Sequence, residues 1–114
     1  MSVSSAYPEV TPQLLDQIVQ RILAIGKPER IVLFGSRARG DARPDSDIDL
    51  LIIEESDLPR YRRSPPYYLA LADLFPSKDI LVYTPKEAND WAEVPNAMPT
   101  VALREGRVLY ARPH

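Results

Sequence analysis

The chain contains no cysteine, so it has neither a disulfide nor a thiolate metal site. No apolar run approaches the length that a helix needs to cross a bilayer, and the N-terminus lacks the basic-then-apolar pattern of a secretion signal. A basic excess is also missing, because the net charge is −2, whereas broad nucleic-acid binding needs a basic face. We therefore expect a cytoplasmic protein that forms no stable complex with nucleic acid or a membrane.

What the chain does have is the composition of an ordinary globular domain, with 45% hydrophobic and 26% charged residues in a length of 114. Residues 1–10 are predicted to form a flexible tail, and residues 11–114 a single domain. The apolar pattern predicts an α/β fold, in which helices flank a small β-sheet of mixed direction. The predicted helices are 12–25, 36–41, 65–75, 85–91 and 99–105, and the predicted strands are 30–34, 48–53 and 79–83. Residues 108–110 are predicted to form a short final strand or an extended tail.

Two carboxylates, Asp47 and Asp49, stand at the start of the second predicted strand. Because side chains alternate along a strand, both should point to one face while Ile48 and Leu50 point to the other. Carboxylates so placed repel each other unless they are protonated, hydrogen-bonded or neutralised by a cation. Hard oxygen ligands of this kind suit Mg²⁺, so the pattern predicts a metal site.

A glycine and a serine, Gly35 and Ser36, end the first predicted strand. Gly35 allows a sharp turn and a close approach to a ligand, and the amides that follow Ser36 can form an anion-binding concavity at the start of a short helix. A phosphate fits such a place. Together with metal-binding carboxylates, this is the arrangement used for two-metal phosphoryl or nucleotidyl transfer.

These residues carry a resemblance to a known family. Gly35-Ser36, ten intervening residues and Asp47-Ile48-Asp49 resemble the GS-x10-DxD signature of the polymerase-β-type nucleotidyltransferase superfamily. The longer segment GSRARGDARPDSDIDLLI is similar to the minimal nucleotidyltransferase (MNT) proteins of prokaryotes, which commonly pair with a HEPN-domain toxin. Residues 78–85, KDILVYTP, match the family's pattern around a third carboxylate, here Asp79, and residues 103–110 resemble the way such domains end.

The resemblance implies a polymerase-β-like fold and transfer of a nucleoside monophosphate, AMP from ATP, to a hydroxyl group. It implies that Asp47, Asp49 and Asp79 hold two Mg²⁺ ions, or Mn²⁺, and that Asp79 also accepts the hydroxyl's proton. Gly35 and Ser36 would cradle the β- and γ-phosphates. In the family the acceptor is a tyrosine of the partner HEPN ribonuclease, so the chain would be the antitoxin of a type VII toxin-antitoxin system.

Two other functions remain open. The domain could be a binding module that silences its partner by occlusion without catalysis. It could also modify a small molecule, as aminoglycoside nucleotidyltransferases do, although those enzymes carry additional substrate-binding structure that this chain lacks unless a dimer provides it. Substitution of Asp47 and Asp49 would separate the first alternative from an enzyme.

Several basic and aromatic residues also have two interpretations. Arg39 either contacts phosphate or is a solvated arginine on a polar turn, and Arg37 is the weaker candidate of the two. The basic stretch 60–63 with its tyrosine could hold a nucleotide base, but we favour a solvated loop or a protein contact because nearby acidic residues cancel much of its charge. Tyr67 and Tyr68 are expected to serve the core and interfaces rather than to bind a ligand.

Overall fold

The structure, a computed structural model, describes residues 9–113. Most of the predicted tail, residues 1–8, lies outside the described residues. Within 9–113, none of the helices combines the length and the apolar character needed to cross a membrane. The elements in chain order are α1 (Pro12–Ile25), β1 (Arg30–Phe34), α2 (Ser36–Arg39), β2 (Ile48–Ile53), a 3-10 turn (Arg60–Arg62), α3 (Pro65–Ala70), β3 (Lys78–Tyr83), α4 (Pro85–Asp90), α5 (Met98–Glu105) and β4 (Arg107–Ala111).

The four strands form one mixed sheet in the order β3-β2-β1-β4. Strand β1 runs antiparallel to both β2 and β4, whereas β2 and β3 are parallel. This sheet with its flanking helices confirms the predicted fold class. The bounds of β1 and β2 agree with the prediction because each is a nearly continuous apolar run between polar turn residues, as expected for strands that are buried on both faces.

Each face of the sheet has its own apolar cluster, because successive side chains point to opposite faces. The first face packs against α1 and α3, and its strand residues include Leu33, Leu50 and Val82. The second face packs against α4 and α5, and its strand residues include Val32, Leu51 and Tyr83. Burial of each large apolar side chain stabilises the fold by about 1.5–3 kcal/mol. Asp49 and Asp79, the second residues of β2 and β3, belong to the second face.

The ends of two helices follow their sequence signals. At the start of α1, the Thr11 hydroxyl accepts a hydrogen bond from the Leu14 amide at 3.1 Å, and a proline holds the first helical position. At the start of α4, Thr84 and Glu87 form a reciprocal capping box. These local bonds satisfy amides that have no acceptor inside the helix.

Three helices are shorter than predicted, α4 by one residue and α2 and α3 by more. The helix α3 ends at Ala70 rather than near Phe75, because Leu71 leaves the helical conformation, with ψ at 7°. The Lys78 ammonium group then donates to the carbonyls of Leu71 and Leu74, which replaces bonds that a longer helix would have made. Similarly, α2 ends at Arg39 rather than Asp41, because Gly40 adopts a left-handed conformation with φ at 85°.

Candidate active site

Asp49 and Asp79 are direct neighbours on the parallel strands β2 and β3. Paired residues of adjacent strands point to the same face of the sheet, so the two carboxylates stand side by side on the second face. Asp47 is exposed one residue before β2 begins, at the same end of the strand. The residues that the sequence singled out as carboxylate ligands therefore lie in one region.

The charges of this region act on one another. Burial raises the pKa of the half-buried Asp49, and the negative charges of Asp79 and Asp47 raise it further, whereas Arg39 opposes the rise. Within residues 9–113, no hydrogen bond to the Asp49 carboxylate is found. A group of acidic side chains that repel one another is a place where a cation would bind favourably.

The three carboxylates fit a divalent cation by the chemistry of their donor atoms. In the described residues 9–113, no three acidic or histidine side chains converge tightly enough to enclose an ion by themselves. Mg²⁺ does not require such a cage, because it is commonly bound by one or two carboxylates together with waters and substrate phosphates. The arrangement of Asp49 and Asp79, with Asp47 nearby, suits this mode of binding.

Gly35 makes room for Asp49. Its backbone has φ 72° and ψ −157°, a conformation that is essentially reserved for glycine. A Cβ atom at this position would lie 2.2 Å from Oδ2 of Asp49, which is far inside van der Waals contact. Both the turn and the position of the carboxylate therefore require glycine here.

Ser36 begins the four-residue helix α2, which follows Gly35 directly. Its carbonyl accepts the amides of Gly40 and Asp41 at 3.0 and 3.2 Å, so the turn is closed at its far end. The first amides of a helix have no acceptor within the helix itself. They leave the turn able to bind an anion such as a phosphate.

A cavity of about 400 Å³ connects these groups. Every predicted site residue except Asp47 lines it, and Asp47 reaches the site through its charge on Asp49. A volume of this size falls within the range of about 300–1,000 Å³ that is usual for ligand pockets. The lining residues are Phe34, Gly35, Ser36, Arg39, Asp49, Asp79, Met98, Val101, Ala102 and Glu105.

The two arginines of α2 have different surroundings. Arg39 lines the cavity, and its Nε lies 3.4 Å from Oδ2 of Asp41 in an exposed pair. Arg37 turns away and donates from Nη2 to the carbonyls of Pro44 and Ser46 at 3.2 and 2.8 Å. Arg37 thus holds the loop that leads into Asp47, while Arg39 is the arginine available to a ligand.

The basic stretch 60–63 lies away from the cavity lining. Nη1 of Arg63 donates to Glu87 at 2.6 Å and to the carbonyl of Val82 at 3.3 Å. The guanidinium of Arg60 stacks on the ring of Tyr83 at 4.3 Å from its centroid. These two arginines therefore attach the loop to β3 and α4. The sequence alone could not distinguish such an attached loop from a solvated one.

Sequence reasoning missed the contribution of α5 to the cavity. Met98, Val101 and Glu105 follow one another at helical spacing and face the cavity, so a helical projection could have grouped them. Their placement depends on Gly106, where a Cβ would lie 2.3 Å from the carbonyl of Ala102 and 2.8 Å from that of Leu33. The missing side chain lets the end of α5 rest directly on β1.

Residues 15–106 match the model of the nucleotidyltransferase domain family. The chain belongs to this family. The match contains the glycine-serine turn, all three carboxylates and the helix that closes the cavity, and it confirms the interpretation of the chain as a nucleotidyltransferase.

The chain is also similar to individual proteins whose descriptions are consistent with this family. A Methanocaldococcus jannaschii protein described as a "putative protein adenylyltransferase" is 53% identical over 32 residues, 28% of this chain and 32% of that protein, so the match spans about a third of the relative. A "putative nucleotidyltransferase" structure from Sulfolobus solfataricus has TM-score 0.60 and 23% identity, covering 88% of this chain and 79% of that one. A structure described as a toxin-antitoxin with AMP-PNP has TM-score 0.52 and 20% identity, covering 86% and 73%. Both structures share the fold.

Proposed function

We propose that this nucleotidyltransferase transfers AMP from ATP to a hydroxyl group with the help of divalent metal ions. The observation that carries the proposal is the cavity in which the Gly35-Ser36 turn and the neighbouring carboxylates Asp49 and Asp79 face the same space. Phosphate-binding amides beside paired carboxylates are what nucleotidyl transfer requires. Family membership supports the reaction type.

Each residue has a defined part in the proposed reaction. Gly35 and Ser36 bind the β- and γ-phosphates through their backbone, and Arg39 adds a positive charge beside them. The acceptor hydroxyl attacks the α-phosphorus, the bond from that phosphorus to the β-phosphate oxygen breaks, and pyrophosphate leaves. Asp79 accepts the hydroxyl's proton. Asp47, Asp49 and Asp79 would hold Mg²⁺ or Mn²⁺, which would neutralise phosphate charge when bound.

We further propose that the acceptor is a tyrosine of a partner HEPN toxin in the cytoplasm, so that the chain acts as an antitoxin. The names of two relatives support this direction, one a protein adenylyltransferase and the other a toxin-antitoxin with a nucleotide analogue.

The test is transfer of label from α-labelled ATP, with Mg²⁺, to the protein encoded beside this chain. The Asp47→Asn/Asp49→Asn double variant should lose the label, whereas Asp45→Asn, an exposed carboxylate in the preceding loop, should keep it. Label that requires Asp47 and Asp49 supports the proposal. Absence of label with every nucleotide tested, in a complex that still silences its partner, would overturn it.

The binding-module alternative has one structural observation in its favour. Trp91 and Met98 are 41% and 49% exposed, although both are large apolar side chains, and Met98 also lines the cavity. Exposed apolar side chains suit contact with a protein, and of these two Met98 lies at the cavity. If occlusion is the mechanism, substitutions at Trp91 should abolish neutralisation of the partner while the carboxylate double variant retains it.

A further inference from the structure

Helix α3 presents two consecutive tyrosines to different parts of the domain. Tyr67 is buried in the cluster on the first face, where its hydroxyl donates to Oε1 of Glu54 at 2.6 Å. Tyr68 is 39% exposed and extends toward the edge strand β3. Its hydroxyl accepts a hydrogen bond from the Ile80 amide at 2.8 Å and lies 3.4 Å from Oδ1 of Asp79.

The position of the Tyr68 hydroxyl follows from the sheet topology. Strand β3 is the outermost strand, so one of its sides has no neighbouring strand to pair with its amides. The Ile80 amide points to this open side and bonds the Tyr68 oxygen. The hydroxyl is therefore anchored to the backbone one residue after Asp79.

The direction of the remaining bond is also fixed. A tyrosine hydroxyl carries one proton, and the amide of Ile80 occupies an acceptor site on its oxygen. The proton is thus free to be donated to Oδ1 of Asp79, because a carboxylate oxygen accepts hydrogen bonds. A donor anchored to the same strand restricts the orientation of the Asp79 side chain, which is otherwise exposed to solvent.

We propose that Tyr68 is a positioning residue for Asp79: it holds one carboxylate oxygen and leaves the other for the metal ion and the acceptor hydroxyl. This rests on the proposed function, in which Asp79 is a ligand and proton acceptor. Carboxylates that bind metals are generally hydrogen-bonded by outer residues, and loss of such a partner weakens metal affinity or activity by about 10–100-fold. Sequence reasoning had assigned Tyr68 to the core and interfaces.

The test compares Tyr68→Phe with Tyr67→Phe, which remove the same atom from adjacent residues. Mn²⁺ affinity is measured by electron paramagnetic resonance in the presence of a non-hydrolysable ATP analogue, so the readout does not depend on turnover. Thermal unfolding is measured without metal. Tyr68→Phe should bind Mn²⁺ at least about 10-fold more weakly and unfold at nearly the wild-type temperature. Tyr67→Phe should bind Mn²⁺ as the wild type does but unfold at a lower temperature.

The outcomes separate this inference from the proposed function. Equal Mn²⁺ affinity of the wild type and Tyr68→Phe, with Asp79→Asn clearly weakened, overturns the role of Tyr68 and leaves the metal site intact. A wild-type protein that binds no Mn²⁺ with the analogue overturns both. A Tyr68→Phe protein that binds metal weakly only in proportion to a loss of folded protein shows that the hydroxyl acts on stability, which also overturns the inference.

Discussion

Strand β2 has a carboxylate at each end, and the two have opposite surroundings. Just after the strand, Glu54 accepts from the Lys27 amide at 2.7 Å and from the Tyr67 hydroxyl at 2.6 Å. At its start, Asp49 faces the negative charges of Asp79 and Asp47, which raise its pKa after burial has done so. The Glu54 carboxylate finds its hydrogen-bond donors within the protein, whereas the Asp49 carboxylate is placed to be neutralised by a ligand.

A glycine makes room for the carboxylate at each end. A Cβ on Gly26 would lie 2.8 Å from Oε2 of Glu54 and closer still to the Tyr67 hydroxyl that Glu54 binds, and a Cβ on Gly35 would lie 2.2 Å from Oδ2 of Asp49. The same steric device therefore serves stability in one place and the proposed chemistry in the other. Proximity of glycine to a carboxylate does not identify a functional site; the hydrogen bonds made by the carboxylate distinguish the two cases.

Asp49→Asn should have the largest effect of the substitutions considered, and this effect should be on activity and not on stability. If Asp49 holds the metal as proposed, its loss removes several kcal/mol of transition-state stabilisation, so the transfer rate should fall by about 100-fold or more. The folded state should not be weakened, since the substitution removes a charge that is repelled by Asp79 and Asp47. Single-turnover transfer and thermal unfolding measure the two quantities. An Asp49→Asn protein with wild-type activity would show that the carboxylate at the start of β2 does not serve the reaction.

Gly35→Ala should reduce both stability and activity. The backbone conformation of Gly35 disfavours any side chain by about 1–3 kcal/mol, and the new methyl would displace the Asp49 carboxylate as well. Gly40→Ala is the matched control, because Gly40 also has a positive φ but has open space where its Cβ would lie. If both variants retain nucleotide transfer equally, the contact between Gly35 and Asp49 has no part in the reaction.

Glu54→Ala should lower stability while the activity of the folded protein remains. The substitution leaves the buried Tyr67 hydroxyl without its acceptor, which should cost about 1–3 kcal/mol in the free energy of unfolding. Burial and the neighbouring Glu54 both raise the pKa of Tyr67, so its hydroxyl stays protonated and needs an acceptor. Denaturant unfolding measures the effect, with Glu55→Ala, an exposed neighbour, as the control. A lower rate of nucleotide transfer by the folded Glu54→Ala protein would show that the Glu54 end of β2 affects the Asp49 end.

Much of the fold was accessible from sequence because its signals are local. Thr11 and Pro12 mark the start of α1, and the apolar runs of β1 and β2 mark their full extents. The glycine-serine turn and the paired aspartates were likewise found by their spacing, and the family match confirms the type of enzyme.

The remainder depends on tertiary contacts that have no local signature. The approach of Glu105 to the cavity requires Gly106 to rest on β1, and the end of α3 is stabilised by Lys78 from a later strand. The attachment of Arg63 to Glu87 joins residues far apart in the chain. Helical periodicity and charge patterns do not specify which surfaces meet, so these features required the structure.

Arg39→Ala should have the smallest effect and would sharpen the assignment of the phosphate end of the cavity. Because the Arg39 side chain is 54% exposed, its charge is screened by water and salt, so we expect kcat/KM for ATP to fall only about 10-fold, equivalent to about 1.4 kcal/mol. The fall should diminish as the salt concentration rises. Arg43→Ala is the control, since Arg43 is exposed on the adjoining loop and does not line the cavity. Equal kinetics for the two variants would remove Arg39 from the nucleotide site and leave phosphate binding to the backbone of the Gly35-Ser36 turn.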